Sequence, residues 1–518
     1  MYRDCVCVCV CVCVCVCVCY CRMRLCESHV VMDTVRVDMV TLWCVLSLLT
    51  FLSVEASGTN PGAKLRVTQK GLDYELEISI NPLREKLKTI QIPNMSGKEE
   101  VLFMDVSYRV SSMQIEEVLM DSTAVGLVPG TGVSLSIGKA YIDLKGNWEV
   151  EYLFIDDGGW FTLSIFDIRI STTIGVNNDG QGHPTVYAAS CSASIGRVEI
   201  DLHGGLSWLY QLFDSYINSA LLDALQPQIC TMVTEAINSI NPHLKTLNVL
   251  AQVDKYAEID YSIVGSPFVS YSGIDLGLKG EFYNIGQHQE PPFSPTPFSL
   301  PAQDSNMLYI ALSAFSLNSA GFVYNNAGVL KLYITDDMIP SSCPFRLDTK
   351  TFGIFIPQIA KQYPGLKMEF LLKAAKEPNI SFEPNLMTLE ASSTVSAYAI
   401  QPNATLSPLF ILNMNASVSA LIYVSGLKVL GKVTLKKIDL TLNTSNVGPI
   451  QVKLLDNVAW TILNVAVIPR VNALLKNGYP LPAIGEMNLR NTQLQILKDY
   501  VLIGTDVQFG GVDLPDVL

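Results

Sequence analysis

The chain is poor in charge: 16% of its 518 residues are Asp, Glu, Lys or Arg, against 49% hydrophobic. Histidine is scarcer still, with five in all. Four of them, His183, His203, His243 and His288, lie past the leader, none within HExxH and no pair four apart, so a zinc hydrolase has no anchor. No G-x-S-x-G elbow and no P-loop occurs, and Gly130-Thr131-Gly132 lacks the rest of a dinucleotide fingerprint. The paired acids Asp156-Asp157 and Asp336-Asp337 read as solvated turns, and Cys343 beside Pro344 has no His or Asn motif to activate it. No catalytic set, metal or cofactor is therefore expected. Past residue 60 there is also no unbroken apolar run of roughly 18 residues, the length of a span. So apolar a chain without spans must bury much apolar surface or keep an apolar cavity.

Residues 1–31 stand apart as low-complexity sequence outside the mature protein. Cys5 to Cys19 is a strict Cys-Val alternation, which a (TG)n repeat encodes in one frame, and Met32 and Met39 are the natural starts. The run alternates like a strand but has no partner composition. Residues 32–56 read as a signal peptide: an apolar core from Val40 to Val54 is too short for a span, and Val54-Glu55-Ala56 has the small-residue pattern of a cleavage site. A secreted, extracellular protein is expected.

Cleavage after Ala56 leaves three of the fourteen cysteines, Cys191, Cys230 and Cys343, enough for one disulfide and one leftover thiol. Sequons at Asn94, Asn379, Asn403, Asn415 and Asn443 lead us to expect glycosylation. Residues 57–289 carry 15 Lys+Arg against 27 Asp+Glu, a net of −12, whereas residues 290–518 carry 16 of each. That balance argues against nucleic acid and against capture by anionic membranes through overall charge.

The five prolines of Glu290–Pro301 make an extended connector, 290–302, between an N-terminal domain, 57–289, and a C-terminal domain, 303–518. The first half opens with a helical stripe, Leu72, Leu76, Ile80, Leu83, Leu87 and Ile90, which Pro82 should kink. Period-two segments follow at Val133–Ile137, Ile142–Leu144 and Phe161–Ile165 and read as half-buried antiparallel strands. An amphipathic helix from Leu209 to Ala224 should break at Pro227, with a second stripe from Ile229 to Ile240. The second half repeats the layout. Strand-like runs fill Met307–Tyr333 and Val395–Asn443; a helix runs from Pro449 to about Leu463 and resumes at Arg470–Lys476, stopped by Asn477-Gly478; Leu494–Phe509 is again strand-like. Two copies of one α+β unit are expected, each a curved antiparallel sheet covered by a helix, although two ordinary globular domains would show the same periodicity.

Several segments are specific. Asn60-Pro61-Gly62 with Arg66-Val67-Thr68-Gln69-Lys70-Gly71-Leu72-Asp73-Tyr74, Leu278-Lys279-Gly280-Glu281-Phe282-Tyr283, Pro291-Pro292-Phe293, Ala327-Gly328-Val329-Leu330, Asp336-Asp337-Met338-Ile339-Pro340 and Gly478-Tyr479-Pro480-Leu481-Pro482 occur in order. Through them the chain resembles the family of bactericidal/permeability-increasing protein and lipopolysaccharide-binding protein over about residues 60 to 510. Glu290–Pro295, Met307–Ile310 and Asp260-Tyr261-Ser262 resemble its BPI fold-containing family C branch in particular. The resemblance implies two similar barrel domains, each a sheet wrapped on a long helix, joined as a boomerang by a central sheet and the Pro-rich linker. It also implies an apolar pocket for acyl chains in each barrel and a single disulfide, for which Cys191 and Cys230 are the matching positions.

One departure bears on function. The first barrel's tip is basic in the endotoxin-binding relatives, but here Gly146–Trp160 carries four acids and no base. Carboxylates facing phosphates repel them. Trp148, Tyr152, Phe154 and Trp160 are candidates to dip into a lipid interface, or else pack between strands. The reading is a lipid-binding protein of innate-immune type, not an enzyme, probing a bacterial or lipid-particle surface through phospholipid or lipopolysaccharide and working as a monomer. The alternative is a non-bactericidal phospholipid carrier, which the acidic first half favours.

Overall fold

The computed structural model describes residues 6–12, 14–20, 60–89, 92, 94–101, 104–152, 155–207, 214–247, 249–481 and 487–509. Residues 1–57 and 58–518 form separate units. In the first, the Cys-Val run finds its partner in itself: Val6–Val12 pairs antiparallel with Val14–Tyr20. Strict alternation lets either half template the other, which composition alone did not suggest.

The second unit is built from three antiparallel sheets of six or seven strands and a small three-stranded one. In the N-terminal half, seven strands carry the order Arg197–His203, Ile155–Asn178, Gly132–Tyr152, Met104–Leu119, Met95–Val101, with Ser122–Val128 on the third and Pro184–Ser194 on the second. The separate short strands expected at Val133–Ile137 and Ile142–Leu144 are one strand of 21 residues, Gly132–Tyr152. Register shifts at Ile137/Ala140 and Ala140/Ile142 explain the interrupted alternation: a bulge resets which side chains face inward. The C-terminal half repeats the design with Lys331–Ile334, Lys367–Ala374, Leu386–Ile400, Leu406–Ser425, Lys428–Ser445 and Tyr479–Pro480 in order, and Asn379–Glu383 on the third. Among the described residues the strand pairs do not close either sheet into a barrel, so the shared feature is a helix-covered antiparallel sheet.

The helices follow the apolar stripes. Gln69–Lys88 contains Pro82, where a kink is expected. Two other elements differ from expectation. Asp214–Ser239 is one helix with Pro227 inside it, not two. Its face of Ile217, Leu221, Leu225, Ile229 and Val233 lies on the N-terminal core, and that packing outweighs the local cost of a missing N–H. The first residues of that stripe, Leu209, Leu212 and Phe213, lie outside the described residues. The strand-like stretch Met307–Tyr333 divides into strand Leu308–Ser313, helix Ala314–Asn326 and strand Lys331–Ile334. The helix buries Phe315, Ala320, Phe322 and Val323 together with Ser316 and Ser319, a face of mixed polarity that hid its period.

In the C-terminal half the two expected helical pieces form one tract, Val452–Leu475: a 3₁₀ turn, a helix Asp456–Ile462, a π-helical stretch Leu463–Val467 and a helix Ile468–Leu475. The wider π turn lets the chain pass Pro469 without ending the helix. By length and composition this tract could cross a membrane, against the expectation drawn from unbroken apolar runs, because scattered Asn and Thr interrupt it without making it polar. Leu455, Val458, Ile462, Leu463, Ala466 and Val467 are instead part of the C-terminal core.

The halves meet in a six-stranded sheet ordered Phe268–Val269, Ile274–Leu278, Ala63–Val67, Leu308–Ser313, Tyr500–Phe509, Met487–Ile496. The first strand of each half are direct neighbours, Ala63 opposite Leu312 and Val67 opposite Leu308. Every residue of Leu308–Ser313 is buried, as a strand covered on both faces requires.

Candidate ligand-binding cavities

Helix Asp214–Ser239 is held to the N-terminal sheet by a Cys191–Cys230 disulfide. Cys191 sits in strand Pro184–Ser194 opposite Thr172, so it marks the face of the sheet turned to the helix. Cys343, the third cysteine, is buried and unbonded in the C-terminal core.

The C-terminal cavity lies between that lobe's sheet and its helical tract. Phe352, Phe370 and Phe410 form one wall and Leu455, Val458 and Ile462 the other, and every lining residue is apolar. The three rings follow one another at centroid distances of 5.1 and 6.4 Å. About 50 Å³ remains open to the centre of a water-sized sphere. An apolar cavity of about 150 Å³ takes a benzene, so the space as it stands is a seam, not an elongated tunnel. Side chains, the phenylalanines above all, complete this lobe where hydrocarbon tails were expected to.

A second cavity, of about 450 Å³, opens on the N-terminal sheet where Ser122–Val128, Gly132–Tyr152, Ile155–Asn178 and Pro184–Ser194 run side by side. Its walls are mixed. Ile137, Ile170 and Ala193 share the helix-facing side with Cys191 and pack on the core, while Ser136, Ser171 and Ser192 alternate to the other side and are exposed. Arg169 is its one charged lining residue. Lined by serines as well as apolar side chains, this cavity is not an apolar tunnel.

The aromatic candidates separate. Trp148 is 5% exposed and sits in the N-terminal core, its indole N–H within 3.2 Å of the Trp160 carbonyl and 3.3 Å of that of His203. Trp160 is 46% exposed and stacks on His203 at 3.8 Å. A Cβ on the intervening Gly159 would collide with the His203 carbonyl, so glycine there lets the strands close around Trp148. Phe154 lies outside the described residues, as does the side chain of Tyr152. In the same hairpin Glu151 faces Asp156 across the strands, a like-charge pair that disfavours a phosphate nearby. Glu149 is met by Arg109 at 3.9 Å.

One acid of each pair is structural. Asp157 accepts from the backbone N–H of Leu206 at 2.8 Å and of Gly158 at 3.0 Å. Asp336 takes Arg346 at 2.9 Å, Lys367 at 2.6 Å and the Leu347 N–H at 2.9 Å. Asn94, Asn379, Asn403, Asn415 and Asn443 are all exposed. No group of three or more His, Cys, Asp or Glu among the described residues could hold a metal.

Two related lobes, each a helix-covered antiparallel sheet, sharing a central sheet and offering cavities without catalytic groups, define a two-domain α+β binding protein. Residues 71–242 match the N-terminal domain of the LBP / BPI / CETP family and residues 251–509 its C-terminal domain. The chain belongs to that family. It is 55% identical over 474 residues to bactericidal permeability-increasing protein of Sebastes schlegelii, covering 91% of this chain and all of that protein. Human BPI fold-containing family C protein is 29% identical over 468 residues, 89% of this chain and 92% of that one, so the narrower resemblance to family C gives way to the bactericidal relative. A crystal structure of lipopolysaccharide binding protein superposes with a TM-score of 0.58 at 32% identity, over 88% of this chain and all of that one.

Proposed function

We propose that this protein is a secreted, non-enzymatic lipid-binding protein that takes acyl chains of phospholipid or lipopolysaccharide against its apolar interior, with antibacterial action as its biological use. The observation that carries the reading is the C-terminal seam, lined wholly by apolar side chains and closed on one side by a helix with a π-helical stretch. Each methylene transferred there from water contributes roughly 0.8 kcal/mol, so a chain of ordinary length can drive the Phe352, Phe370 and Phe410 rings aside. The names of the relatives, bactericidal permeability-increasing protein and lipopolysaccharide-binding protein, support the same reading.

In this proposal residues 32–56 are the signal peptide, 57–289 and 303–518 are the two lobes, 290–302 the linker, and the five exposed sequons carry glycans. Of the aromatic candidates, Trp160 is the described side chain with the exposure to touch lipid.

Native mass spectrometry of the secreted protein with lipid extraction tests the reading. Bound phospholipid, or lipopolysaccharide taken up in a salt-dependent manner, is expected; protein that stays lipid-free after incubation with both overturns it. A second reading, a carrier of zwitterionic phospholipid without endotoxin binding, is favoured by Glu151 opposite Asp156. It predicts phosphatidylcholine uptake that does not change with salt.

A further inference from the structure

We propose that the end of the C-terminal lobe formed by helices Thr349–Gly353 and Pro357–Gln362 and the 3₁₀ turn Val452–Leu455 is a docking surface for an anionic lipid layer. These elements come from distant parts of the chain but meet around one cavity, which Phe352 and Leu455 both line. Next to these buried contacts the chain turns apolar side chains outward. Ile354 is 75% exposed and Leu454 49%. Neither is needed for the core, which Phe352, Ile356 and Leu455 already complete.

The charges around this patch specify the partner. Lys350, Lys361 and Lys453 are exposed on the same three elements. Among the described residues none of them has an acid within ion-pair distance, whereas Arg346 and Lys367 are taken up by Asp336. Of the nearby acids, Asp348 caps its helix by accepting from the Thr351 N–H at 2.7 Å, and Asp456 begins the next helix. Two exposed apolar side chains and three unpaired lysines on the same elements suit a surface with negative headgroups above hydrocarbon. The hairpin Gly146–Trp160 of the other lobe has the opposite charge and buries Trp148. This goes beyond the acyl-chain reading, because docking on a layer and filling a cavity are measured separately.

The test is co-sedimentation of the full secreted protein with phosphatidylcholine vesicles made with and without phosphatidylglycerol. Binding should require phosphatidylglycerol and weaken with salt. Reversing the lysines (K350E, K361E, K453E) should weaken it about tenfold or more, as should I354D with L454D, while the content of extracted lipid and the circular dichroism stay unchanged. A Y271D control, at an exposed side chain of the N-terminal half to which no lipid contact is assigned, should bind as the parent does. Equal binding to both vesicle types, unaltered binding by the variants, or a patch whose mutation abolishes self-association with no vesicle binding would each overturn the proposal.

Discussion

Arg66 and Asp275 form a two-pronged ion pair inside the central sheet: Nε donates to Oδ1 at 2.6 Å and Nη2 to Oδ2 at 2.7 Å. The remaining guanidinium nitrogen, Nη1, donates to the Pro301 carbonyl at 2.5 Å, so one side chain clamps two strands and the end of the proline-rich connector. Arg66 is 5% exposed. Replacing it with Ala leaves the partly buried Asp275 carboxylate, 17% exposed, without its partner, and a loss of up to about 3–5 kcal/mol is expected in urea unfolding. R66A with D275A should lose less than the sum of the single variants; strict additivity would show that the pair does not couple the strands.

The Cys191–Cys230 bond closes a loop with a sequence separation of 39 residues. In the chain-entropy model such a loop stabilises by about 3–4 kcal/mol. C191S with C230S should lower the thermal midpoint of the oxidised protein. Unchanged midpoints would show that helix Asp214–Ser239 is held by its apolar face alone.

Two carboxyls give opposite pH signatures. Burial raises the Asp336 carboxyl, but hydrogen bonds from Lys367, the Leu347 N–H and Arg346 outweigh it and hold it at about 2. Because that lies below the unfolded value, its stabilisation is complete above about pH 4 and is lost as pH falls through 2. Allowing for solvent screening, it is on the order of 1–2 kcal/mol, and D336N should remove it from the acid limb of a stability-versus-pH curve. Glu281 behaves the other way: burial pushes its carboxyl up, and the neighbouring Tyr283 hydroxyl and the charge of Lys279 at 3.8 Å only partly compensate. Its contribution is therefore lost as pH rises, and E281Q should raise the midpoint at pH 7 with a benefit that fades below about pH 4. A variant equally stabilised at both pH values would contradict this.

Cavity-lining residues should separate stability from lipid content. Ile462 is buried against the sheet, and I462A should cost about 2–5 kcal/mol while leaving more room for an acyl chain. A459F fills the same seam from the helix, with overpacking of about 1–3 kcal/mol, and should reduce the lipid recovered by organic extraction. Equal lipid content in both variants would locate the bound chain elsewhere.

Most elements could be read from the residues because their apolar periods are clean. The stripe from Leu72 to Leu87 and the alternation in Val433–Leu442 each have one way to bury their apolar face. Local pattern also marked the connector, through its prolines, and the acidic hairpin. The failures share a cause. Pro227 and Pro469 look like breaks when only neighbours in sequence are counted, yet a core on one side and a π turn keep both helices going. Ser316 and Ser319 disguised a buried helix as strand, because their partners, the Gly62 carbonyl and the Phe282 N–H, come from a different half of the chain.

Sequence alone thus determined the two-fold layout, the family and the lack of HExxH, G-x-S-x-G and P-loop motifs, all of which depend on residue type and short spacing. Tertiary structure alone decided how full the lobes are and which aromatics see solvent. Cavity volume and exposure depend on how side chains from remote strands and helices meet: Phe352, Phe370 and Phe410 close the C-terminal lobe only because three separate segments bring them together, and Trp148 is hidden while Trp160 is not because Gly159 lets the His203 strand close over one and leave the other outside.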